Sequence, residues 1–209
     1  MMQGLEKYLG RFAIPHLTRG VVFLSALVFI LGGISPDFVG MLTLEPEAIM
    51  RGEVWRLLTF LFIPETRSIL FLIFYLWFTW FVGNALEEEW GAFRLNMYFL
   101  TGMLFVTLTA FFLIGGQIDN VYFYSSLFLA FGTQFPKVEL MLFPIPIPIQ
   151  ARFLAIFSGI MIFLTFLFNP FSRLLILASL MNYFLFFGIP LLWHWRKDLQ
   201  RKKRLKSLS

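Results

Sequence analysis

Few side chains in this 209-residue chain could do covalent chemistry. The chain has no cysteine, which excludes disulfides, thiolate metal sites and cysteine nucleophiles. Two adjacent hydroxyls, Ser125 and Ser126, lie in an apolar run, whereas His16 and His194 stand at the ends of apolar runs. A serine becomes a nucleophile only when a base takes its proton. Because no histidine lies inside an apolar run, we expect both serines to mediate helix packing, and serine catalysis is the alternative.

Long apolar runs must position these residues. The chain is 59% hydrophobic and 14% charged, whereas a soluble domain is about 45–50% apolar and about 25% charged. A membrane-spanning helix needs about 20 mostly apolar residues. Six such segments are predicted, at about 16–34, 68–86, 93–114, 121–135, 150–168 and 171–193. The sequence therefore predicts an all-α bundle of six transmembrane helices, because lipid-immersed backbone must satisfy its own hydrogen bonds.

The fourth segment is short, which favours a central helix shielded by its neighbours over a re-entrant segment. The long first loop, 41–64, contains the amphipathic run Trp55–Ile63, which is too short to span and is expected in the membrane interface. Alternating prolines at 144–149 predict an extended connector, since proline removes amide donors and keeps the preceding residue extended.

The charge distribution predicts the orientation. Residues 1–15 form a cytosolic N-terminal segment, 16–195 the membrane domain and 196–209 a cytosolic tail with seven lysines and arginines. Positive charge concentrates on the cytosolic side of membrane proteins. Both termini are therefore expected in the cytosol. The basic tail is interpreted as the flank of the last helix, with a patch that binds lipids or a partner as the alternative. Nucleic acid is not expected as a partner, because no folded soluble module accompanies the tail.

Two motifs resemble the rhomboid-like superfamily. The first is a Trp-Arg pair in the long loop, and the second is a Gly-x-x-Leu-Glu-x-x-x-Gly pattern at the end of the second segment. Their residues are Trp55 and Arg56, and Gly83, Leu86, Glu87 and Gly91. The ring of Trp55 and the snorkelling side chain of Arg56 would anchor the loop at the headgroups, with a specific role in disturbing the lipid as the alternative. The resemblance implies that Glu87 ties this loop to the core, with a solvated acidic cap as the alternative. The two glycines permit close approach and a turn.

The resemblance also implies where a protease would carry its catalytic groups. Rhomboid proteases have polar oxyanion donors on the second helix, a serine within Gly-x-Ser-Gly on the fourth and a histidine on the sixth. The corresponding positions here hold Phe71, Tyr75, Val121 and Asn182. The chain therefore resembles a catalytically inactive, Derlin-like pseudoprotease. It departs from the family on the sixth helix, where only Gly188 remains of the usual Gly-x-x-x-Gly pair, with Ala178 and Ser179 as small substitutes.

The resemblance implies a non-catalytic protein that binds transmembrane segments of client proteins at a lateral opening near the second or fifth helix and perturbs the local bilayer, in membrane-protein quality control. Its expected partners are membrane lipids and these clients, and a homo-oligomer is left open. No cofactor and no metal is expected. The alternatives are an intramembrane serine protease that uses Ser125 or Ser126 and, in a third class, a transporter. The lack of cysteine and the short tail favour a bacterial inner membrane over the endoplasmic reticulum.

Overall fold

The computed structural model describes residues 6–8, 10–114, 116–141 and 148–188, and the architecture of this part is all-α. Its long helices are labelled α1 to α6 in chain order. They are Leu17–Ile34, Ile69–Trp90, Ala92–Thr109, Val121–Gln134, Ala151–Phe168 and Arg173–Gly188. A π-helical turn, Ala110–Ile114, continues α3. The predicted residues 189–193 of the last segment, His194 and the basic tail lie outside the described residues.

Short elements fill the connections. The long loop folds into the helices Pro36–Gly40, Pro46–Met50 and Arg56–Thr59 and the 3-10 turn Phe60–Phe62. A further 3-10 turn, Gly10–Phe12, precedes α1. Between α4 and α5, strand β1 (Glu139–Met141) pairs antiparallel with strand β2 (Pro148–Gln150). The extended backbone predicted for the proline repeat is confirmed at positions 148 and 149, and residues 144–147 lie outside the described part.

Within the described residues, four stretches of helix are long and apolar enough to cross a membrane. They are Gly10–Ile34, Ile69–Trp90, Ala92–Phe112 and Ala151–Phe168. Their outward faces expose many large apolar side chains, which is expected where lipid is the solvent and is unusual where water is. These helices are compatible with an integral membrane protein. The 14-residue α4 and the described part of α6 are shorter, so the count of six spans stays a prediction.

The helices alternate in direction, which defines two faces of the bundle. At one face, the backbone N–H of Ile14 donates to Asn96 Oδ1 at 3.0 Å, and Asn96 Nδ2 donates back to the Ile14 carbonyl at 2.9 Å. We call this end, where α1 and α3 begin and α2 ends, the His16 face. At the other end, the Ile118 N–H donates to the Leu44 carbonyl at 2.9 Å and joins the long loop to the connection before α4. We call this end the loop face.

Close helix contacts depend on glycine. A Cβ at Gly83 would collide with Thr18 of α1, and a Cβ at Gly132 would collide with Ala155 of α5. Such contacts let helices approach in lipid, where apolar burial does not drive association. The predicted close approach at Gly83 is confirmed.

The second helix is longer than expected. It runs to Trp90, four residues beyond the predicted end at Leu86. Glutamate is a good helix former, so the acidic run Glu87–Glu89 continues the helix and does not end it. Gly91, with φ +81°, ends α2 and makes the predicted turn into α3.

The shielded position predicted for α4 is found in the structure. It packs against α2, α3 and α5, and its buried side chains include Phe123, Leu127 and Phe131. Helix α6 reaches the core from the far side, where the ring of Phe186 lies 5.0 Å from that of Tyr98. An aromatic core therefore surrounds α4 and sets the position of its polar residues.

Candidate functional site

Arg56 is the centre of the long loop. Its side chain is 7% exposed and donates to the carbonyls of Gly40 and Thr43 at 2.7 and 3.0 Å. Its Nη2 lies 2.7 Å from Glu53 Oε2, and Nη1 lies 3.9 Å from Glu45 Oε2. A buried guanidinium is stable only with such charged and carbonyl partners. The prediction that Arg56 snorkels to lipid phosphate is therefore wrong, because its donors hold the loop together.

Trp55 lies at the surface of this loop. It is 50% exposed, and its indole Nε1 donates to the Met41 carbonyl at 3.1 Å. Neighbouring Val54 and Leu58 are also exposed, which is consistent with the interfacial anchor predicted for Trp55. The second half of the run Trp55–Ile63 does not fit the interfacial prediction, and for the first half it stays a prediction. The turn Phe60–Phe62 is buried against the helices, because it packs in protein and not in lipid.

The start of α4 fixes the buried end of the loop. Asn120 Nδ2 donates to the carbonyls of Phe60 and Ile63 at 2.8 and 2.9 Å, and the Tyr124 hydroxyl donates to the Leu61 carbonyl at 2.7 Å. These bonds satisfy carbonyls that would otherwise be buried without donors. We call Asn120 and Tyr124 the loop clamp. Sequence reasoning missed it, since Asn120 has the appearance of an ordinary N-cap, although its side chain makes no capping bond.

Glu87 binds a different partner from the one that the resemblance implies. Its Oε1 accepts a hydrogen bond from the backbone N–H of His16 at 2.6 Å and lies 3.8 Å from His16 Nδ1. The carboxylate therefore ties the start of α1 to the end of α2, so both the tie to the long loop and the solvated cap are wrong. His16 has a left-handed backbone with φ 55°, which is uncommon for a residue with a side chain. Leu86, the preceding motif residue, is fully buried.

The positions corresponding to catalytic residues do not all meet. Phe71 is 59% exposed on the outer surface of α2. Tyr75 lies inside, with its ring 6.0 Å from and edge-on to the ring of Tyr124. Val121, at the start of α4, lines the same cavity as Tyr75. The structure therefore brings Tyr75 and Val121 together and leaves Phe71 apart from them.

Asn182, the fourth position, belongs to a buried polar cluster. Its Nδ2 donates to the Tyr98 carbonyl at 3.1 Å, and its Oδ1 accepts from the Thr101 hydroxyl at 2.6 Å. The Tyr98 hydroxyl donates to Ser126 Oγ at 3.0 Å, and Ser126 donates to the Phe123 carbonyl at 2.8 Å. The bond from Tyr98 to Ser126 joins α3 to α4, whereas the hydrogen of Ser126 stays within α4. This contact is the packing role predicted for Ser126.

Ala178 and Ser179, the small residues expected to allow close packing of α6, are buried, with 6% and 4% exposure. The close contact of α6 with its neighbour, however, is made at a glycine of α3. A Cβ at Gly102 on α3 would lie 2.8 Å from Asn182 Nδ2. Helix α6 also reaches α4 through the hydroxyls of Tyr183 and Thr133, which lie 2.8 Å apart.

Ser125 lies at an opening in the bundle. A cavity of about 280 Å³ lies between α2, α4 and α5, next to the loop face. A second cavity, of about 220 Å³, lies between α4 and α5 and shares Ser125 and Ser158 with the first. We call the two together the lateral cleft. Its polar lining includes Glu65, Tyr75, Asn120, Tyr124, Ser125 and Ser158.

The cleft lies between α4 and α5. Near the His16 face the helices touch at Gly132 and Ala155. Toward the loop face the second cavity lies between them and is lined by Ser125, Phe157 and Thr165. Only Ala151 and Ala155 of α5 are buried, so this helix is attached mainly near its first turns.

The carboxyl group of Glu65 lines the cleft, and its surroundings shift its pKa. Burial raises the pKa of the Glu65 carboxyl, and the nearby charge of Asp119 raises it further. Among the described residues that line the first cavity, none is lysine, arginine or histidine. The described part of the chain also contains no group of three or more metal-ligating side chains.

No protein-family model matches the chain, and no curated protein is significantly similar to it. Membership of the rhomboid-like superfamily therefore depends on the motifs alone and stays a proposal.

Proposed function

We propose that this chain is a catalytically inactive rhomboid-like membrane protein that binds transmembrane segments of other membrane proteins at the lateral cleft. In this proposal all six helices cross the membrane and both termini lie in the cytosol. The alternating direction of the helices supports an even number of spans. The His16 face, which carries Lys7, Arg11 and Arg19, is then the cytosolic face, as positive charge favours.

The lateral cleft between α4 and α5 is the observation that carries the proposal. It lies at the surface of the bundle, which lipid would cover, and contains hydroxyl and carboxyl groups. Apolar lipid chains cannot form hydrogen bonds with these groups. A transmembrane segment with polar side chains can, and helices in membranes commonly associate through such hydrogen bonds. Because α5 is attached near one end, its other end can move to admit a helix.

A cross-linking experiment tests this binding. The protein is reconstituted in phosphatidylcholine vesicles with a photoreactive amino acid at Ser158, and a biotinylated peptide of about 20 leucines and alanines with one central serine is added. We expect the peptide to label position 158. The control carries the photoreactive group at Leu108, an exposed residue of α3. Equal labelling at both positions, or none at position 158, would contradict binding at the cleft.

The same proposal includes a perturbed bilayer. The 14 residues of α4 measure about 21 Å, less than the roughly 30 Å of a typical hydrocarbon core. Short spans favour thin membranes, at a cost of fractions of a kcal/mol per Å of mismatch. Quenching of the tryptophans by brominated lipids measures this preference. We expect short-chain lipids to compete better than long-chain lipids, and equal competition would remove the thinning from the proposal.

One observation favours the alternative of an intramembrane serine protease. Ser125 lines the lateral cleft, whereas Ser126 is committed to packing. Incubation with a transmembrane substrate, followed by mass spectrometry of the products, separates the two functions. Our proposal requires that Ser125→Ala combined with Ser126→Ala leave the products unchanged. Cleavage that is lost in this variant, while its thermal unfolding stays close to that of the parent, would establish the protease.

A further inference from the structure

The loop clamp uses all of its hydrogen-bond donors. Both bonds from Asn120 Nδ2 go to loop carbonyls, and the single hydroxyl hydrogen of Tyr124 goes to Leu61. Both residues also line the lateral cleft. In the cleft these two side chains can therefore act only as hydrogen-bond acceptors, through the lone pairs of Asn120 Oδ1 and of the Tyr124 oxygen.

Asn120 Oδ1 lacks a partner in the described part of the chain. Asn120 is 1% exposed, and its Oδ1 is buried without a hydrogen bond. The orientation of the amide is set by its neighbours, because two carbonyl oxygens can be satisfied only by the NH₂ group. A buried acceptor without a donor is costly. Because Asn120 lines the cleft, a bound group whose N–H or O–H reaches Oδ1 would satisfy this acceptor.

Glu65 adds negative charge to this acceptor. Its side chain lines the same cavity from the exposed loop before α2, and the lining residues include no basic side chain. A neutral donor would satisfy Asn120 and leave the carboxylate without a counter-charge. An ammonium or guanidinium group would satisfy both, since charged hydrogen bonds are the stronger ones.

We infer that the lateral cleft selects clients that carry a lysine or arginine in the transmembrane segment, at the level of Asn120 and Glu65 on the loop-face side. This inference rests on the proposed function. A basic residue within a membrane is costly until it finds a partner. The cleft offers such a residue a carboxylate and an amide oxygen, so clients that carry it gain more from binding than apolar ones.

Four peptides in the cross-linking experiment test the selection. They are leucine and alanine helices that differ at one position, about one helical turn from the loop-face end, which holds lysine, glutamine, leucine or glutamate. Phosphatidylcholine vesicles are used, so that no anionic lipid competes for the cation. We expect the lysine peptide to label a photoreactive group at Ser158 about tenfold more than the leucine peptide. Glutamine should be intermediate and glutamate lowest.

Two failures are distinguishable. If the leucine and lysine peptides label position 158 equally, the selection is wrong and the proposed function stands. If none of the four labels it above the Leu108 control, the proposed function fails with the inference.

A charge-removing variant tests the residue responsible. Glu65→Gln keeps the shape of the side chain, and we expect it to lower labelling by the lysine peptide to the level of the glutamine peptide. Labelling by the leucine peptide should stay unchanged, which shows that the cleft is intact. The matched control is Asp37→Asn, which removes an exposed carboxylate at the loop face outside the cleft. An undiminished preference for lysine in Glu65→Gln, or an equal loss in Asp37→Asn, would overturn the assignment.

Discussion

The two sides of α4 differ in how their polar groups are used. Toward the long loop, Asn120 and Tyr124 donate to three backbone carbonyls, and the loop beyond is held by the buried Arg56. Toward α5, the cleft contains Ser125 and Ser158 beside an empty volume. The same short helix is thus an anchor on one side and the wall of an opening on the other.

This difference separates stability from binding. Satisfied buried hydrogen bonds stabilise a fold, whereas groups left without partners are expected where a ligand binds. Substitutions on the loop side should therefore lower stability most. Substitutions on the cleft side should alter binding or the position of α5 with smaller losses of stability.

The largest loss is expected on the loop side, for Arg56→Met. The change leaves Glu53 and the carbonyls of Gly40 and Thr43 without their donor, and removal of one member of a buried pair costs about 3–5 kcal/mol. Because Glu53 is partly exposed, we expect the lower value. Reversible unfolding by SDS in mixed micelles measures it. The control is Arg51→Met at an exposed position, which should lower the free energy of unfolding by less than about 0.5 kcal/mol. Equal free energies of unfolding for the two variants would contradict the distinction between the two sides of α4.

The next largest effect is expected for Asn120→Leu, which removes the amide of the loop clamp. The carbonyls of Phe60 and Ile63 lose their donor, and an unsatisfied buried group costs about 1–3 kcal/mol. Amide hydrogen exchange should accelerate in the long loop more than in α5. The control is Asn84→Leu, whose amide bonds only to exposed Glu88 one turn away. A similar increase in both variants would show that Asn120 does not clamp the loop.

Sequence patterns predicted the long helices because lipid requires apolar residues throughout a span, whatever their partners. The turn at Gly91 and the approach at Gly83 were predictable for a similar reason, since only glycine tolerates them. The partners of Arg56 and Glu87 were not predictable, because a charge near a membrane can turn toward lipid, water or protein. Only the fold, which brings Gly40 to Arg56 and His16 to Glu87, decides among these.

The candidate site was predicted only in outline. Ser125 was identified by its hydroxyl, and a lateral opening near the second or fifth helix was expected from the resemblance alone. The contribution of Asn120 and Glu65 was missed, because it depends on bonds to residues far away in the chain. Local hydrophobicity also cannot distinguish burial in protein from exposure to lipid, so Phe60–Phe62 and Phe71 had the same appearance in the sequence, although the structure places them differently.

On the cleft side, the contact that joins α4 to α5 allows a test by exchange of two residues. Gly132→Ala places a methyl group against Ala155, so α5 must move, at a cost of about 1–3 kcal/mol. Adding Ala155→Gly restores most of the space, and the double variant should regain at least half of the loss. The 3.2 Å approach of the new methyl group to the Ala151 carbonyl remains. If the two substitutions lower the free energy of unfolding in SDS by strictly additive amounts, these residues do not form the contact between α4 and α5.

The smallest expected effect is the dependence of stability on the ionisation of Glu65. Burial, and then the charge of Asp119, raise the pKa of this carboxyl in the folded protein above its unfolded value. The folded state therefore binds the proton more tightly, and stability is lost as pH rises from the unfolded pKa through the folded one. Glu65→Gln should remove this loss and be more stable than the parent at about pH 7, with little difference at about pH 4. Unfolding by SDS between these values measures the two curves. Parallel curves would mean that the cleft does not penalise the charge of Glu65, and the two sides of α4 would then be less different than their hydrogen bonds indicate.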